Sequence, residues 1–193
     1  MAIGRRICDA IQHTIAQDYE RAFLHLFPAV DATARRRRNI GVGARIRKFL
    51  SENEAIIQTI ASPGLIMIGC RINGRTWADA LYTLGRTAIA HEGQLDPRLQ
   101  IADDGEICLD DAAGNWRLPS TYLIGISAAV ITAPENAEER CDRDGQFINF
   151  GGTRVLVNEL WGQRERLLDL LQERYPQIRD IDRLAAEYAE QQD

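Results

Sequence analysis

The sequence predicts a mainly α-helical protein, a helical bundle that carries one small antiparallel β insertion. Three observations support this fold class. Apolar residues recur at helical spacing in several long segments of the chain. Alternation of apolar and polar residues, which is typical of strands, is concentrated at about residues 99–118. The 193 residues, 45% of them hydrophobic, suffice for one buried core and contain no repeat or flexible linker, so we expect a single domain over residues 1–193.

Two long amphipathic helices begin the predicted bundle. The first spans about residues 3–27 and is expected to stop near Pro28, because proline interrupts a helix interior. The second spans about residues 44–61, with one apolar side formed by Ile46, Phe49, Leu50, Ile57 and Ile60. The apolar run that follows, residues 65–68, is ambiguous between a buried strand and a helical turn.

A third helix is predicted after the turn Asn73-Gly74. Thr76 can cap its first turn, with Asp79 in capping-box position three residues later. Its buried side is predicted from residues at helical spacing, namely Trp77, Leu81, Leu84 and Ala88. Gly93 suits a left-handed C-cap and Pro97 follows soon after, so the helix is expected to end just before Gly93.

The predicted β insertion follows this helix directly, at about residues 99–118. Apolar and polar residues alternate on both sides of Asp104-Gly105, a dipeptide that forms tight turns. This pattern predicts an antiparallel hairpin over residues 99–109. Gly114-Asn115 can turn the chain into a third strand around Trp116.

The remaining segments are predicted to be helical. A very apolar helix starts at Pro119 and Ser120 and ends before Pro134. Another is predicted over about residues 153–174, and a last amphipathic helix follows Pro176. The longest apolar stretch, residues 122–133, is shorter than the roughly 20 residues that span a bilayer, and no signal peptide is recognisable. We therefore expect a cytoplasmic protein that has no membrane partner.

The cysteines and two of the histidines are scattered along the chain. The sequence contains no Cys-x-x-Cys pair and no histidine beside a cysteine, so it predicts neither a metal site nor a cofactor. We expect reduced, mostly buried thiols at Cys8, Cys70, Cys108 and Cys141. His13 and His25 lie as isolated residues on the first predicted helix, which is typical of a structural role.

Positive charge is concentrated in the first half of the chain. Residues 1–90 hold thirteen basic and seven acidic side chains, whereas residues 91–193 hold ten basic and twenty-one acidic ones. The densest basic segment has no acidic residue between Asp31 and Glu52. Because such a cluster attracts a phosphate backbone, we expect RNA contact at Arg35, Arg36, Arg37, Arg38, Arg45, Arg47 and Lys48. The alternative is a solvated helix junction.

Arg86 and His91 are the candidate catalytic residues. Arginine carries a fixed charge and a planar fork suited to phosphate, while histidine exchanges a proton near neutral pH. Positions five apart lie about 140° apart around an α-helix and about 7.5 Å along it, so one helix makes a poor clamp. Two copies across a two-fold axis would bring both pairs to one cleft, which predicts a homodimer. The alternatives are a hydrogen-bonded histidine at the edge of the core and a solvated surface arginine.

The Arg-x-x-x-x-His spacing from Arg86 to His91, late in a helix of a mostly helical chain, resembles the signature of the HEPN superfamily. Members of that superfamily include metal-independent endoribonucleases of bacterial toxin–antitoxin, abortive-infection and CRISPR systems. The resemblance implies a dimeric site in which both residues take part in attack of the ribose 2′-OH on the phosphate. This chain has Thr87 directly after the arginine, where the family often carries Asn, Asp or His.

The sequence therefore predicts a HEPN-like endoribonuclease, a toxin or antiphage effector with RNA as substrate and an antitoxin protein as partner. His91 would act as general acid or base, and Arg86 would hold the scissile phosphate and stabilise its developing charge. The main alternative is a non-catalytic helical module that binds RNA or protein. A third is an unrelated bundle in which the two residues have no joint role.

Overall fold

Helices make up most of the protein. The computed structural model describes residues 3–150 and 152–191. Its α-helices are α1 (Ile3–Ile15), α2 (Tyr19–Arg37), α3 (Val42–Glu52), α4 (Glu54–Ala61), α5 (Trp77–Ala80), α6 (Ala88–Glu92), α7 (Thr121–Thr132), α8 (Arg164–Gln172) and α9 (Ile178–Glu190). A π-helical segment, Leu81–Thr87, joins α5 to α6 without interruption. The prediction of a mainly α-helical protein is confirmed.

Short strands pair in small sheets. Two of these sheets are hairpins, one of β1 (Arg71–Ile72) with β2 (Arg75–Thr76) and one of β6 (Phe147–Phe150) with β7 (Thr153–Leu156). A mixed sheet contains β3 (Leu99–Ala102), β4 (Cys108–Asp110) and β5 (Asn115–Pro119). Among the residues described, no helix combines the length and apolar character needed to cross a membrane.

The predicted antiparallel hairpin over residues 99–109 is wrong in its pairing. β5 lies between the two strands, parallel to β3 and antiparallel to β4. It takes the central position because Trp116 and Leu118 are fully buried, with Leu99 directly opposite Trp116. β4 is short and partly exposed, as suits an edge strand. The insertion itself, directly after the helix of Arg86, agrees with the prediction.

The first predicted helix is two helices. Gln17, with a left-handed φ of 60°, turns the chain between α1 and α2. The Asp18 side chain then accepts a hydrogen bond from the Arg21 N–H (3.3 Å) and starts α2. Pro28 lies inside α2 instead of ending it, since buried neighbours such as Phe27 and Val30 hold the helix against the core.

Two other helix predictions are also wrong at their boundaries. The segment predicted as one helix over residues 44–61 divides at Asn53, whose side-chain amide donates to the Phe49 carbonyl (2.7 Å). The helix predicted over residues 153–174 begins only at Arg164. Its first part is strand β7 because Val155 is buried opposite Ile148. Residues 65–68, which were ambiguous, form neither strand nor helix.

Helix α7 lies at the centre of the core. It contains no charged residue, and almost every side chain along it is buried. Helices α1, α2 and α4 pack around it. Gly125 brings α7 against α4, because a Cβ atom at this position would lie 2.7 Å from the Ile57 carbonyl oxygen. A larger residue would force the two helices apart.

A disulfide between Cys8 and Cys141 corrects the expectation that all four cysteines are reduced. Cys8 lies on α1 and Cys141 lies 133 positions later, yet their Cα atoms are 5.9 Å apart. This separation is within the roughly 4.4–6.8 Å that a disulfide requires. Cys70 and Cys108 are free thiols. The pairing is set by tertiary contacts that cannot be read from spacing along the chain.

A buried acid fastens the irregular segment between α4 and β1. Glu54 accepts hydrogen bonds from the Gln58 side chain (2.9 Å) and from the Gly69 N–H (3.3 Å). Gln58 in turn accepts from the Met67 N–H (2.5 Å). Burial raises the pKa of Glu54 from its ordinary 4.5 to about 7, although the Gly69 N–H opposes the rise.

Glu54 should make the stability of the protein depend on pH. Its folded pKa lies above its unfolded value, so its contribution is complete below about pH 4.5 and is lost as the pH rises through about 7. The loss should approach about 3 kcal/mol, since each unit of pKa difference is worth about 1.4 kcal/mol. Glu54→Gln should abolish this part of the pH dependence in urea unfolding, whereas Glu106→Gln, at an exposed carboxyl, should retain it. Identical pH profiles for wild type and Glu54→Gln would contradict the assignment.

Candidate nucleic-acid interface

The helix that carries Arg86 and His91 begins and ends as the sequence predicts. The Thr76 hydroxyl accepts a hydrogen bond from the Asp79 N–H (3.1 Å), and the Asp79 carboxylate accepts one from the Thr76 N–H (3.3 Å). These two bonds form the predicted capping box. At the other end, Gly93 adopts the left-handed conformation with φ 76°. His91 therefore lies in the last turn, as expected.

The π-helical segment in the middle of this helix was not predicted. It spans Leu81–Thr87 and includes Arg86. The Thr87 hydroxyl donates to the Tyr82 carbonyl five residues earlier (3.0 Å). Gly85 lies directly against the Phe23 ring of α2, where a Cβ atom would overlap the ring. Such segments are uncommon and occur frequently at functional sites.

Arg86 and Arg47 share one aromatic ring. The guanidinium of Arg47, on α3, lies 4.4 Å from the centroid of the Tyr82 ring. The guanidinium of Arg86 lies 5.8 Å from the same centroid. The fold thus brings the arginine of the Arg-x-x-x-x-His pattern to the basic segment of the sequence. We refer to Arg47, Tyr82 and Arg86 as the Tyr82 cluster.

A basic cleft lies beside the Tyr82 cluster. Its walls include Arg47 and Lys48 from α3, Arg71 from β1 and the capping residues Thr76 and Asp79. Arg47 Nε is 2.9 Å from an Asp79 carboxylate oxygen, which fixes the guanidinium at the wall of the cleft. Three of these lining residues are basic and one is acidic. Basic side chains at the wall of a cleft attract an anionic ligand.

Three arginines of the basic run are engaged within the protein. Arg36 binds Glu139 (2.6 Å), and Arg37 binds Glu135 (2.5 Å). Arg38 binds Glu52, whose side chain is largely buried. These acids lie well away from the arginines along the chain. The basic run therefore has no acidic residue close to it in sequence, but the fold brings acidic side chains into contact with it. The three side chains tie α2 to α3 and to the segment after α7.

The other four members of the predicted RNA-binding set divide into two groups. Arg45 forms a two-point ion pair with Asp31 (2.6 and 3.0 Å), and Arg35 is exposed on α2. Arg47 and Lys48 line the basic cleft. The predicted set is thus not one surface, and its part nearest to Arg86 is the pair on α3.

Arg86 and His91 lie in different surroundings on this helix. Arg86 is half-buried, whereas His91 is exposed at the helix end. On a regular α-helix, positions five apart are separated by about 140° of rotation. Among the residues described, neither side chain has a hydrogen-bond or ion-pair partner. The alternative prediction that His91 is hydrogen-bonded at the edge of the core therefore does not match its position.

Sequence reasoning missed a stacked histidine pair. His13 on α1 and His25 on α2 lie with ring centroids 5.3 Å apart and planes inclined by 13°. Their Nδ1 atoms face different carboxylates, Asp18 at 3.7 Å and Asp9 at 3.8 Å. Burial lowers the pKa of His25, Asp9 opposes this effect and His13 adds to it. The pair was not visible because both residues were placed on one continuous helix, where they would lie far apart.

Comparison with known proteins identifies relatives without a described activity. The model of a family described as Rv1289 matches residues 2–184. An uncharacterized protein of Mycobacterium tuberculosis, Rv1289, and one of Mycobacterium bovis, Mb1320, are each 26% identical over 195 residues, covering 89% of this chain and 88% of the relative. No solved structure matches the chain. Because the family model covers nearly its whole length, the chain belongs to the Rv1289 family.

Proposed function

We propose that this protein is a HEPN-like, metal-independent endoribonuclease that binds RNA in the basic cleft and cuts it at Arg86 and His91. The supporting observation is the Tyr82 cluster, in which Arg86 and Arg47 share one ring at the rim of the cleft. RNA bound along the cleft would therefore reach the arginine that the resemblance assigns to catalysis.

Arg86 is suited to the scissile phosphate. Its guanidinium contacts the Tyr82 ring, and no carboxylate among the described residues forms an ion pair with it. Arginine at such a position stabilises negative charge that develops on phosphate oxygens. The ribose 2′-oxygen attacks the adjacent phosphorus and displaces the 5′-oxygen of the next nucleotide, which leaves a 2′,3′-cyclic phosphate.

His91 supplies the proton transfer. An imidazole can accept the 2′-hydroxyl proton or protonate the leaving 5′-oxygen. Its exposure at the end of α6 leaves it open to a substrate. Since positions five apart on an α-helix lie about 140° from each other, the proposal requires the histidine and arginine of two protomers to meet at a two-fold axis.

An apolar surface beside Arg86 suits that homodimer. Leu24 of α2 is 49% exposed, and Pro28 and Ala90 are exposed next to it. These residues and Arg86 line one shallow cavity between α2 and α6. A second copy that covers this surface would bury apolar area and place its own α6 near Arg86.

The biological setting in this proposal is that of a toxin or antiphage effector in the cytoplasm. A ribonuclease that acts on cellular RNA has to be held inactive until it is needed. An antitoxin protein that covers the basic cleft would do so, and its acidic side chains would complement the basic residues that line the cleft.

The second candidate is a non-catalytic module that binds RNA through the same cleft. It is favoured by the different surroundings of the two residues, since Arg86 is half-buried and His91 is exposed. In this case the Tyr82 cluster and Lys48 would hold RNA, and no bond would be cut.

The ribonuclease proposal predicts cleavage of RNA in the presence of EDTA. His91→Ala and Arg86→Ala should each reduce cleavage by about a hundred- to ten-thousand-fold, the usual effect of removing an acid–base group or a charge-stabilising donor. Arg166→Ala, which removes a charge on α8, should cleave as wild type does. Gel assays with single-stranded and structured RNA measure this, and circular dichroism confirms folding of each variant. Wild type that leaves a broad RNA panel intact would support the binding module instead.

The basic cleft predicts a salt-dependent affinity for RNA. Lys48→Ala should weaken binding of single-stranded RNA and lower the slope of log affinity against log salt by about 0.7, the value expected for one lost phosphate contact. Arg166→Ala removes the same charge outside the cleft and should leave the slope unchanged. Fluorescence anisotropy at several salt concentrations provides the measurement. Equal slopes for Lys48→Ala and wild type would place RNA elsewhere.

If the apolar surface around Leu24 forms the dimer interface, a single charged residue placed in it should prevent dimerisation. Leu24→Arg places a cation against its own copy across the two-fold axis, so the variant should be monomeric and lose cleavage. Leu184→Arg, the same change at a residue 53% exposed on α9, should remain dimeric. Light scattering after size exclusion reports the mass. A wild-type monomer that cleaves RNA would rule out the shared site.

A further inference from the structure

A cluster of possible metal ligands lies where α1 meets the segment that precedes β6. It contains Cys8 of α1 with Cys141 and Asp142 of the segment that precedes β6. The two sulfur atoms and a carboxylate oxygen of Asp142 lie within 4.8 Å of one another. Both cysteines are buried, and Asp142 is exposed at the rim. Neither the sequence pattern nor the proposed ribonuclease uses these residues.

The segment around Cys141 is held in place by contacts other than the disulfide. The Cys141 N–H donates to the Asn158 side-chain oxygen (2.8 Å), and the Asn158 amide donates to the Cys141 carbonyl (3.2 Å). The Gly4 N–H donates to Glu139 (3.1 Å), and Gly4 lies so close to the Arg140 carbonyl that a Cβ atom has no room. Reduction of the disulfide would therefore leave the two sulfur atoms as neighbours.

We propose that the reduced protein binds Zn²⁺ through Cys8, Cys141 and Asp142. Two thiolates and a carboxylate are typical Zn²⁺ ligands, with bonds of about 2.3 Å to sulfur and about 2.0–2.2 Å to oxygen. Small rotations of these side chains bring the three ligand atoms to such a distance from one ion. Water completes a tetrahedral site, and the Gln146 side-chain oxygen, which lies 2.9 Å from the Cys141 sulfur, is placed to accept a hydrogen bond from that water.

The surrounding charges fit this assignment. Three anionic ligands leave one negative charge after Zn²⁺ binds. The neighbouring Asp9 is neutralised by Arg143 (3.2 Å), so it adds little further repulsion. In the part of the chain that the structure describes, these three residues form the single cluster of this kind, and Cys70 and Cys108 lie outside it.

Cys8 and Cys141 can either form the disulfide or bind the metal ion, but not both at once. A low-molecular-weight thiol reduces the Cys8–Cys141 bond. In this exchange two reductant thiols form one disulfide, and the two cysteines gain two electrons and two protons. Zn²⁺ then displaces both thiol protons and binds the thiolates. A disulfide oxidant reverses the sequence: it takes two electrons from the thiolates, forms the Cys8–Cys141 bond and releases Zn²⁺. The site thus couples metal occupancy to the thiol redox state.

The test uses the full-length protein, reduced without oxygen, incubated with Zn²⁺ and desalted. Elemental analysis should find one Zn²⁺ per chain, and Co²⁺ in its place should show the visible absorption of a thiolate-bound tetrahedral ion. Cys8→Ser and Cys141→Ser should lose the metal. Cys70→Ser and Cys108→Ser should keep it. Oxidised wild type should hold none and show the Cys8–Cys141 disulfide in peptide mapping.

The variant Asp142→Asn distinguishes the loss of a metal ligand from a loss of folding. Asp142 is exposed, so the variant should fold as wild type, yet its affinity for Zn²⁺ should fall by at least about tenfold, as changes at metal sites usually cause. Reduced wild type without Zn²⁺, or Zn²⁺ retained equally in Cys8→Ser, would overturn the proposal. Because the readout is metal content and not cleavage, its outcome is independent of the ribonuclease assays.

Discussion

The packing of α7 is the constraint on which the rest of the structure depends. Its uninterrupted apolar surface can be buried only if other elements cover it on every side, and α1, α2 and α4 do so. The close approach at Gly125 fixes the spacing between α7 and α4. Short sheets and loops then close the ends. A charge placed on α7 would remain unpaired at the centre of the protein.

The candidate interface inherits its geometry from this core. α2 is held against α7, and the Phe23 ring of α2 is the surface against which Gly85 lies. That contact sets the position of the π-helical segment, and with it the direction of Tyr82 and Arg86. α3 is tied to α2 by the pairs that Glu52 makes with Arg37 and Arg38. The two arginines of the Tyr82 cluster therefore belong to elements that share one support.

Local signals predicted the parts of this protein that are governed locally. The capping box at Thr76, the left-handed Gly93 and the apolar helix before Pro134 are all confirmed. Long-range effects account for the errors. Burial of Trp116 moved β5 between the predicted hairpin strands, core packing retained Pro28 within α2, and distant acids paired with Arg36 to Arg38. Neither the histidine stack nor the Cys8–Cys141 pairing has a signal in sequence spacing.

The π-helical segment shifts the phase of the helix in which it lies. Such a segment behaves as one extra residue inserted into an α-helix, so everything after it is displaced by about 100° of rotation relative to an uninterrupted helix. The side chains of the last part of the helix, which includes His91, are therefore rotated relative to those of the first part, which starts at Thr76. A relative that lacks the extra residue of the π-helical segment can keep the Arg-x-x-x-x-His spacing. Its arginine and histidine would then face different parts of the protein. The direction in which Arg86 and His91 face therefore depends on the π-helical segment as well as on the five-residue spacing between them.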